Sequence, residues 1–322
     1  MSGRHPLFAV GDGSQGPSSI NNGSIPAHPT GGNAGNGSGN GNSRTAITMN
    51  TRYHDGLVEF KRRCTDYLVI ETLIDHLFET DAYGINAHLN GIENPKVADL
   101  GCGDGTITSK MIRTIAAKIR SRVTYDVVEP LKQYIESASN RIRSENAESQ
   151  SVDVCYYNQK AEDHFALPNK SRYDMVFASH SLHLVPLTAL RDLVGSMKPG
   201  GYLVVVIGAR HSVMSVLKDL FVEQPAITGA DIISTLAGLN KRSQFEMNVE
   251  SWPSTLSLDD IELPDRFDEL DEKTKNILSL MVQKNIDEVG QEGYTLTRNH
   301  ILPRLVNGRL RLDNDCIVLR RK

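Results

Sequence analysis

Ten residues set the frame of this chain. Residues 96–105 read Lys-Val-Ala-Asp-Leu-Gly-Cys-Gly-Asp-Gly. Val97, Ala98 and Leu100 are the apolar part of a short buried strand, and glycine then occurs at 101, 103 and 105. Glycine permits a tight turn and lets a ligand come close to the backbone. The apolar-rich run from Ile107 to Ile119 supplies the next helix. A strand, a glycine turn and a helix in that order make a nucleotide-type site, with the helix N-terminus facing the ligand. The spacing is not the dinucleotide one, which requires glycine where Thr106 stands, and a second register from Gly103 fails as well. No Gly-Lys-Ser/Thr run for a triphosphate is present.

Bulk properties narrow the class. The 322 residues are enough for one large domain, or one domain with a small cap. A formal charge of -4 gives no reason to expect a nucleic-acid partner. Cys64, Cys102, Cys155 and Cys316 are scattered, with neither a zinc spacing nor a disulfide framework, so a reducing cytoplasmic setting and no metal are expected. No apolar stretch approaches a membrane span, and Met1 to Val10 lacks the apolar core of a signal peptide. Residues 1–50 hold a Gly/Asn/Ser-rich run that cannot bury enough apolar area to offset its ordering, and are expected to be a disordered tail.

From Thr51 onward the pattern is that of an ordered α/β chain. Apolar residues recur at helical spacing from Tyr53 through Phe78, as one helix or as two with a break near Thr65-Asp66. Strands are then expected at 96–100, 122–128, 152–157, 173–178 and 202–207, separated by helices near 107–119, 131–146 and 187–197. Lys198-Pro199-Gly200-Gly201 reads as a turn before the last of these strands. Such alternation builds a mostly parallel sheet with helices on both faces. Helices are expected at 213–222 and 229–239, a strand at 245–252, and a long helix or helix pair at 267–289. The domain layout is thus 51–256 for the cap helices and ligand-binding core, 257–308 for a helical substrate-side insertion, and 309–322 for the final core strand.

The run Ala98 to Gly105 resembles the first motif of class I S-adenosylmethionine-dependent methyltransferases. The resemblance implies a Rossmann-like, seven-stranded, mostly parallel sheet and S-adenosyl-L-methionine as cofactor. It implies that Gly101, Cys102 and Gly103 pass beneath the methionine part of that cofactor and that Asp99 orients it. Val127-Val128-Glu129-Pro130 resembles the family's second motif, which places Glu129 on the ribose hydroxyls with Pro130 beside it. After the third strand, Glu162 and Asp163 are equal candidates for the adenine amino group. Ser179, His180 and His183 follow the fourth strand, at the carboxyl edge where open α/β sheets bind ligands. Lys198-Pro199-Gly200-Gly201 and the apolar run after it resemble the family's late motif.

From about Tyr53 onward the chain is also similar to the histamine N-methyltransferase family. That resemblance implies a small-molecule amine or imidazole as acceptor, and the chain is expected to be a monomer. It places Tyr53, Phe60, Asp66, His180, His183 and Asn314 around the substrate, with Asp66, or Glu59 or Glu71 in another register, as the acid that receives the amine. His180, His183 and Leu184 replace the glutamine and two tyrosines of that family, so a larger or more polar amine than histamine is expected. Asp66, His180 and His183 are the candidate catalytic groups, orienting the acceptor and relaying its proton. The rival readings are transfer to a hydroxyl or carboxylate oxygen, for which the two histidines speak, and a cofactor-binding scaffold without turnover.

Overall fold

The computed structural model describes residues 52, 55–146, 151–166, 172–221, 227–240 and 244–322. Residues 1–50, including the expected tail, and Tyr53 lie outside the described residues.

The strands are held where their apolar runs are. β1 (Lys96–Leu100), β2 (Val123–Val128), β3 (Val152–Tyr157), β4 (Tyr173–Ser179) and β5 (Met197–Gly208) are joined to β6 (Phe245–Ser251) and β10 (Asn314–Arg321) in one seven-stranded sheet of order β3-β2-β1-β4-β5-β10-β6. β1 to β5 pair in parallel, and β10 runs antiparallel to both neighbours. Side chains alternate between the two faces, as strand geometry requires. Val97, Tyr125, Val127, Phe177, Val204 and Val318 share one core. It is covered by α2 (Asp66–Asp75), α4 (Thr106–Lys118) and α5 (Lys132–Glu145). Ala98, Leu100, Val176, Val205 and Ile317 share the other. That face is covered by α7 (Leu190–Ser196) and α9 (Gly229–Leu239), with α6 (Ala161–Phe165) near its edge.

A third core forms outside the seven-stranded sheet. It packs α1 (55–63) and α8 (Val213–Phe221) against α10 (Glu272–Val282) and α11 (Ile286–Ile301). β7 (Ser254–Ser257) and β9 (Arg309–Leu312) contribute Leu256, Leu310 and Leu312 to it. β7, β9 and β8 (Leu305–Val306) form a separate three-stranded sheet. The N-terminal helical run breaks after α1, where Cys64 bridges to Leu256 and the Thr65 N–H donates to the Thr255 carbonyl at 2.8 Å.

Several boundaries differ from the sequence reading. The expected final strand 309–322 is two strands in two sheets. β6 and β10 run on as β7 and β9 in unbroken register, Ser251 facing Asp315 and Ser254 facing Leu312. Pro253 sits where this ribbon leaves the first sheet, and its missing N–H ends the ladder there. The insertion is therefore not purely helical. β5 begins at Met197, so Lys198 to Gly201 lie inside the strand. Its register shifts between Tyr173 and Met175, and Gly200 there has φ 81°. The long helix is two, divided at Gln283, whose φ is 52°, and it continues to Ile301.

Ile317 is fully buried in β10, between β5 and β6. Ile317→Ala should destabilise the protein by about 3 kcal/mol, as large-to-small core changes do, and urea unfolding followed by circular dichroism checks this.

Candidate active site

The carboxyl ends of β1, β4 and β5 open onto a cavity of ≈ 270 Å³. Its floor is the glycine turn. Gly101 has φ 67° and Gly103 φ 54°, a region side chains avoid. A Cβ on Gly101 would stand 2.4 Å from that of Ser181, so the loop after β4 is pressed against this turn. A Cβ on Gly103 would meet nothing within 4 Å. The backbone there is a bare cradle facing the cavity.

Asp99 lies beneath the turn and is 2% exposed. Thr108 Oγ1 donates to its Oδ2 at 2.6 Å, and Tyr125 Oη at 3.4 Å. Burial pushes its carboxyl up to about 6, against these two hydrogen bonds, and the charge of Glu129 pushes the same way. Glu129 accepts from the N–H of Gly103 at 3.2 Å and of Leu131 at 2.9 Å, which locks the turn to the end of β2. Burial raises its carboxyl as well, with those two bonds opposing.

At the other side of the cavity His180 and Asp66 meet. His180 Nε2 is 2.7 Å from Asp66 Oδ2. Charge attraction and hydrogen bonding both draw the pair together. Burial works most strongly, against the imidazolium, but the charge of Asp66 and its hydrogen bond together outweigh it and the His180 pKa rises. Burial likewise works against the Asp66 carboxylate, and His180 with the bonds to Ser254 and Asn314 brings its pKa down. Asn314 Nδ2 donates to Asp66 Oδ1 at 2.7 Å. His180 has φ 49°, a left-handed backbone that costs a non-glycine residue about 1 kcal/mol. Its N–H donates to the Val206 carbonyl at 2.8 Å, which holds that conformation. The imidazole keeps 32% of its side-chain surface open.

Most residues singled out in the sequence meet here. Phe60, Asp66, Asp99, Gly101, Cys102 and Gly103 line the cavity, as do Ser179, His180, His183 and Asn314. Glu129 stands behind the turn, off the lining, and Pro130 is exposed beside it. Glu162 and Asp163 lie at the start of α6, also off the lining, with Asp163 exposed. Asp66 is not a free acid awaiting an amine, because both its oxygens are engaged. Sequence reasoning missed Thr108, Tyr125 and Ser254, which hold the acids, and Lys61 and Lys218, which bring positive charge to the lining. Thr108 had a signal, being one turn into the helix that follows the glycines.

Residues 98–203 match a family model described as a methyltransferase domain. No curated protein matches the chain. Among solved structures, loganic acid methyltransferase with SAH is similar at 12% identity, covering 88% of this chain and 98% of that one, with a TM-score of 0.49. The plantazolicin methyltransferase in complex with SAH is 12% identical over 87% of this chain and 91% of that one, TM-score 0.44. An O-methyltransferase from Bacillus cereus in complex with SAH is 11% identical over 76% and 81%, TM-score 0.40. These likenesses carry no weight in assigning the acceptor. The segment that builds the glycine turn is a class I methyltransferase domain. The chain carries an S-adenosylmethionine-dependent methyltransferase domain.

The residues present fit that cofactor. Gly103 offers backbone with nothing above it, and the buried Asp99 below lacks a cation among its partners. A cofactor carrying an ammonium and a sulfonium favours ionised Asp99. Its affinity should therefore rise as pH increases through about 6, where the buried acid loses its proton. Asp99→Asn should bind more weakly and lose that rise. Calorimetric titration between pH 5 and 8 checks this, and an unchanged pH profile in the variant would remove Asp99 from the linkage.

Proposed function

We propose that this protein transfers the methyl group of S-adenosylmethionine to a small-molecule acceptor at an atom whose proton His180 removes. The observation behind this reading is the buried contact of His180 with Asp66 on the cavity wall, 2.7 Å long. S-adenosylmethionine, when bound, supplies a methyl group on a sulfonium, and the C–S bond breaks with its electron pair left on sulfur. Gly101 and Gly103 would hold its methionine part, Glu129 its ribose and Asp99 its charged end. Asp66 faces His180 Nε2, so Nδ1 is left to take the acceptor's proton, and the carboxylate stabilises the imidazolium that results. Asn314 positions Asp66 rather than the substrate.

A hydroxyl is the acceptor this arrangement supports best. A hydroxyl needs a base and no anchoring acid. The amine or imidazole substrate implied by the histamine N-methyltransferase resemblance needs an acid of its own. Among the described lining residues, Asp66 is engaged by His180 and Asn314, Asp99 by Thr108, and Asp104 by Lys61 at 2.9 Å. Nitrogen remains the second reading, supported by the negative charge Asp66 brings to the wall, because the same pair can deprotonate an ammonium.

Transfer of label from S-adenosylmethionine to pooled phenols, alcohols, carboxylic acids and amines, with mass spectrometry of the product, tests the acceptor atom. Label on nitrogen alone would replace the hydroxyl reading. His180→Ala should lower kcat by about 10²- to 10⁴-fold, the range for a lost general base.

The pH dependence has a definite sign. His180 acts as a base only when neutral, and Asp66 raises its pKa above the ordinary 6.5. The rate should climb with pH through an apparent pKa above that value. Asp66→Asn removes the charge that raises the pKa, so the limb should move to lower pH while kcat falls. A limb that stays in place in Asp66→Asn would separate it from His180.

A further inference from the structure

The cavity wall also carries a positive charge that the proton transfer does not use. Lys218 on α8 lines the cavity, with Ser215 one turn before it on the same helix face. It is half-buried, and burial lowers its ammonium pKa, with Asp219 pulling the other way. No ion pair holds Lys218 among the described residues. Lys61, the other lysine of the lining, is spoken for by Asp104.

His183 lines the same cavity. Its Nε2 is sealed from solvent and has no hydrogen-bond partner among the described residues. Burial first, and then the charges of Lys218 and His180, push its imidazole down to about 3. His183 is thus neutral at any working pH, with a ring nitrogen left unpartnered in the cavity wall. It cannot share the work of His180, whose pKa moves the opposite way. A half-buried ammonium that no ion pair holds and a ring nitrogen without a partner each cost free energy. One anion would relieve both.

We propose that the acceptor carries a carboxylate held by Lys218 and His183, separate from the atom that is methylated. A single cation matches a single negative charge, which favours a carboxylate over a phosphate dianion. The proposal rests on the reading of His180 as base, since a carboxylate that was itself methylated would need none. In the transfer the carboxylate is unchanged. The acceptor hydroxyl forms the new C–O bond, its proton passes to His180, and the carboxylate fixes the end of the molecule away from the methyl. The substrate class is thus a hydroxylated carboxylic acid.

Binding reads this without turnover. The full chain saturated with S-adenosylhomocysteine is titrated with matched probes, 4-hydroxybenzoate against 4-hydroxybenzamide and 3-(4-hydroxyphenyl)propanoate against its amide. In at least one pair the acid should bind 10-fold or more tightly than its amide, an advantage of about 1.4 kcal/mol. Lys218→Met should bring that acid to the affinity of the amide, and Lys218→Arg should keep part of the preference. His183→Gln, which retains a donor, should hold more of it than His183→Leu, and the thermal midpoints of all four variants show whether they fold. Amides that bind as well as acids in both pairs would overturn the proposal. So would a matching loss of S-adenosylhomocysteine affinity in Lys218→Met, which would give the lysine to the cofactor, or a methyl ester as product. The two readings fail separately. His180→Ala should keep the acid preference while losing turnover, and if its turnover survives, the base assignment falls and the carboxylate anchor stands.

Discussion

Asp66 is 6% exposed, and stripping a carboxylate of water has to be offset by its neighbours. Here three distant parts of the chain do so. His180 comes from the loop after β4, Asn314 from the first residue of β10 and Ser254 from the first of β7. The acid therefore fixes where the N-terminal helices, the core sheet and the second sheet meet. Removing any partner leaves a buried charge short of compensation, which costs more than the contact contributes. The same requirement makes the pair chemically useful, because a carboxylate compensated by an imidazole holds that imidazole in place.

The cavity divides into two electrostatic halves. Around the glycine turn, Asp99 and Glu129 are both raised by burial, and each is held by neutral donors rather than by cations. That half suits a positively charged ligand. Toward α8 the wall carries Lys218 and the neutral His183. His180 lines the same cavity, tied to Asp66. Two reactants of unlike charge would be sorted by this gradient before any contact with the reacting atoms.

The cofactor half was legible because it is local. β1, the three glycines and α4 occupy consecutive residues, and each glycine reports a backbone that side chains rarely adopt. The parallel strands were equally plain, since a strand buried on both faces is an unbroken apolar run such as Leu203 to Ile207. Asp66, His180 and Asn314 were all singled out, but as three separate substrate contacts. Their mutual bonding spans 248 residues between Asp66 and Asn314 and has no sequence signature. Lys218 passed unnoticed because a lysine on an amphipathic helix reads as part of a solvated face. The split of the last strand was hidden too. Leu310, Leu312, Asn314, Cys316 and Val318 alternate without a break, because the ribbon itself does not break when it changes sheets.

That ribbon has a consequence for how such a protein can diversify. The chain crosses from the core sheet to the second sheet at 252–253 and returns at Asp313, on strands that lie side by side in register. Everything between, from β7 through α10 and α11 to β9, enters and leaves through one double-stranded neck. An insert anchored this way is a cassette, whose length and composition can drift, or be swapped for another, while the cofactor strands keep their order. The cassette reaches the cavity at Leu280, Gln283 and Leu312, so that stretch of wall can change while the glycine turn, His180 and Lys218 stay where they are.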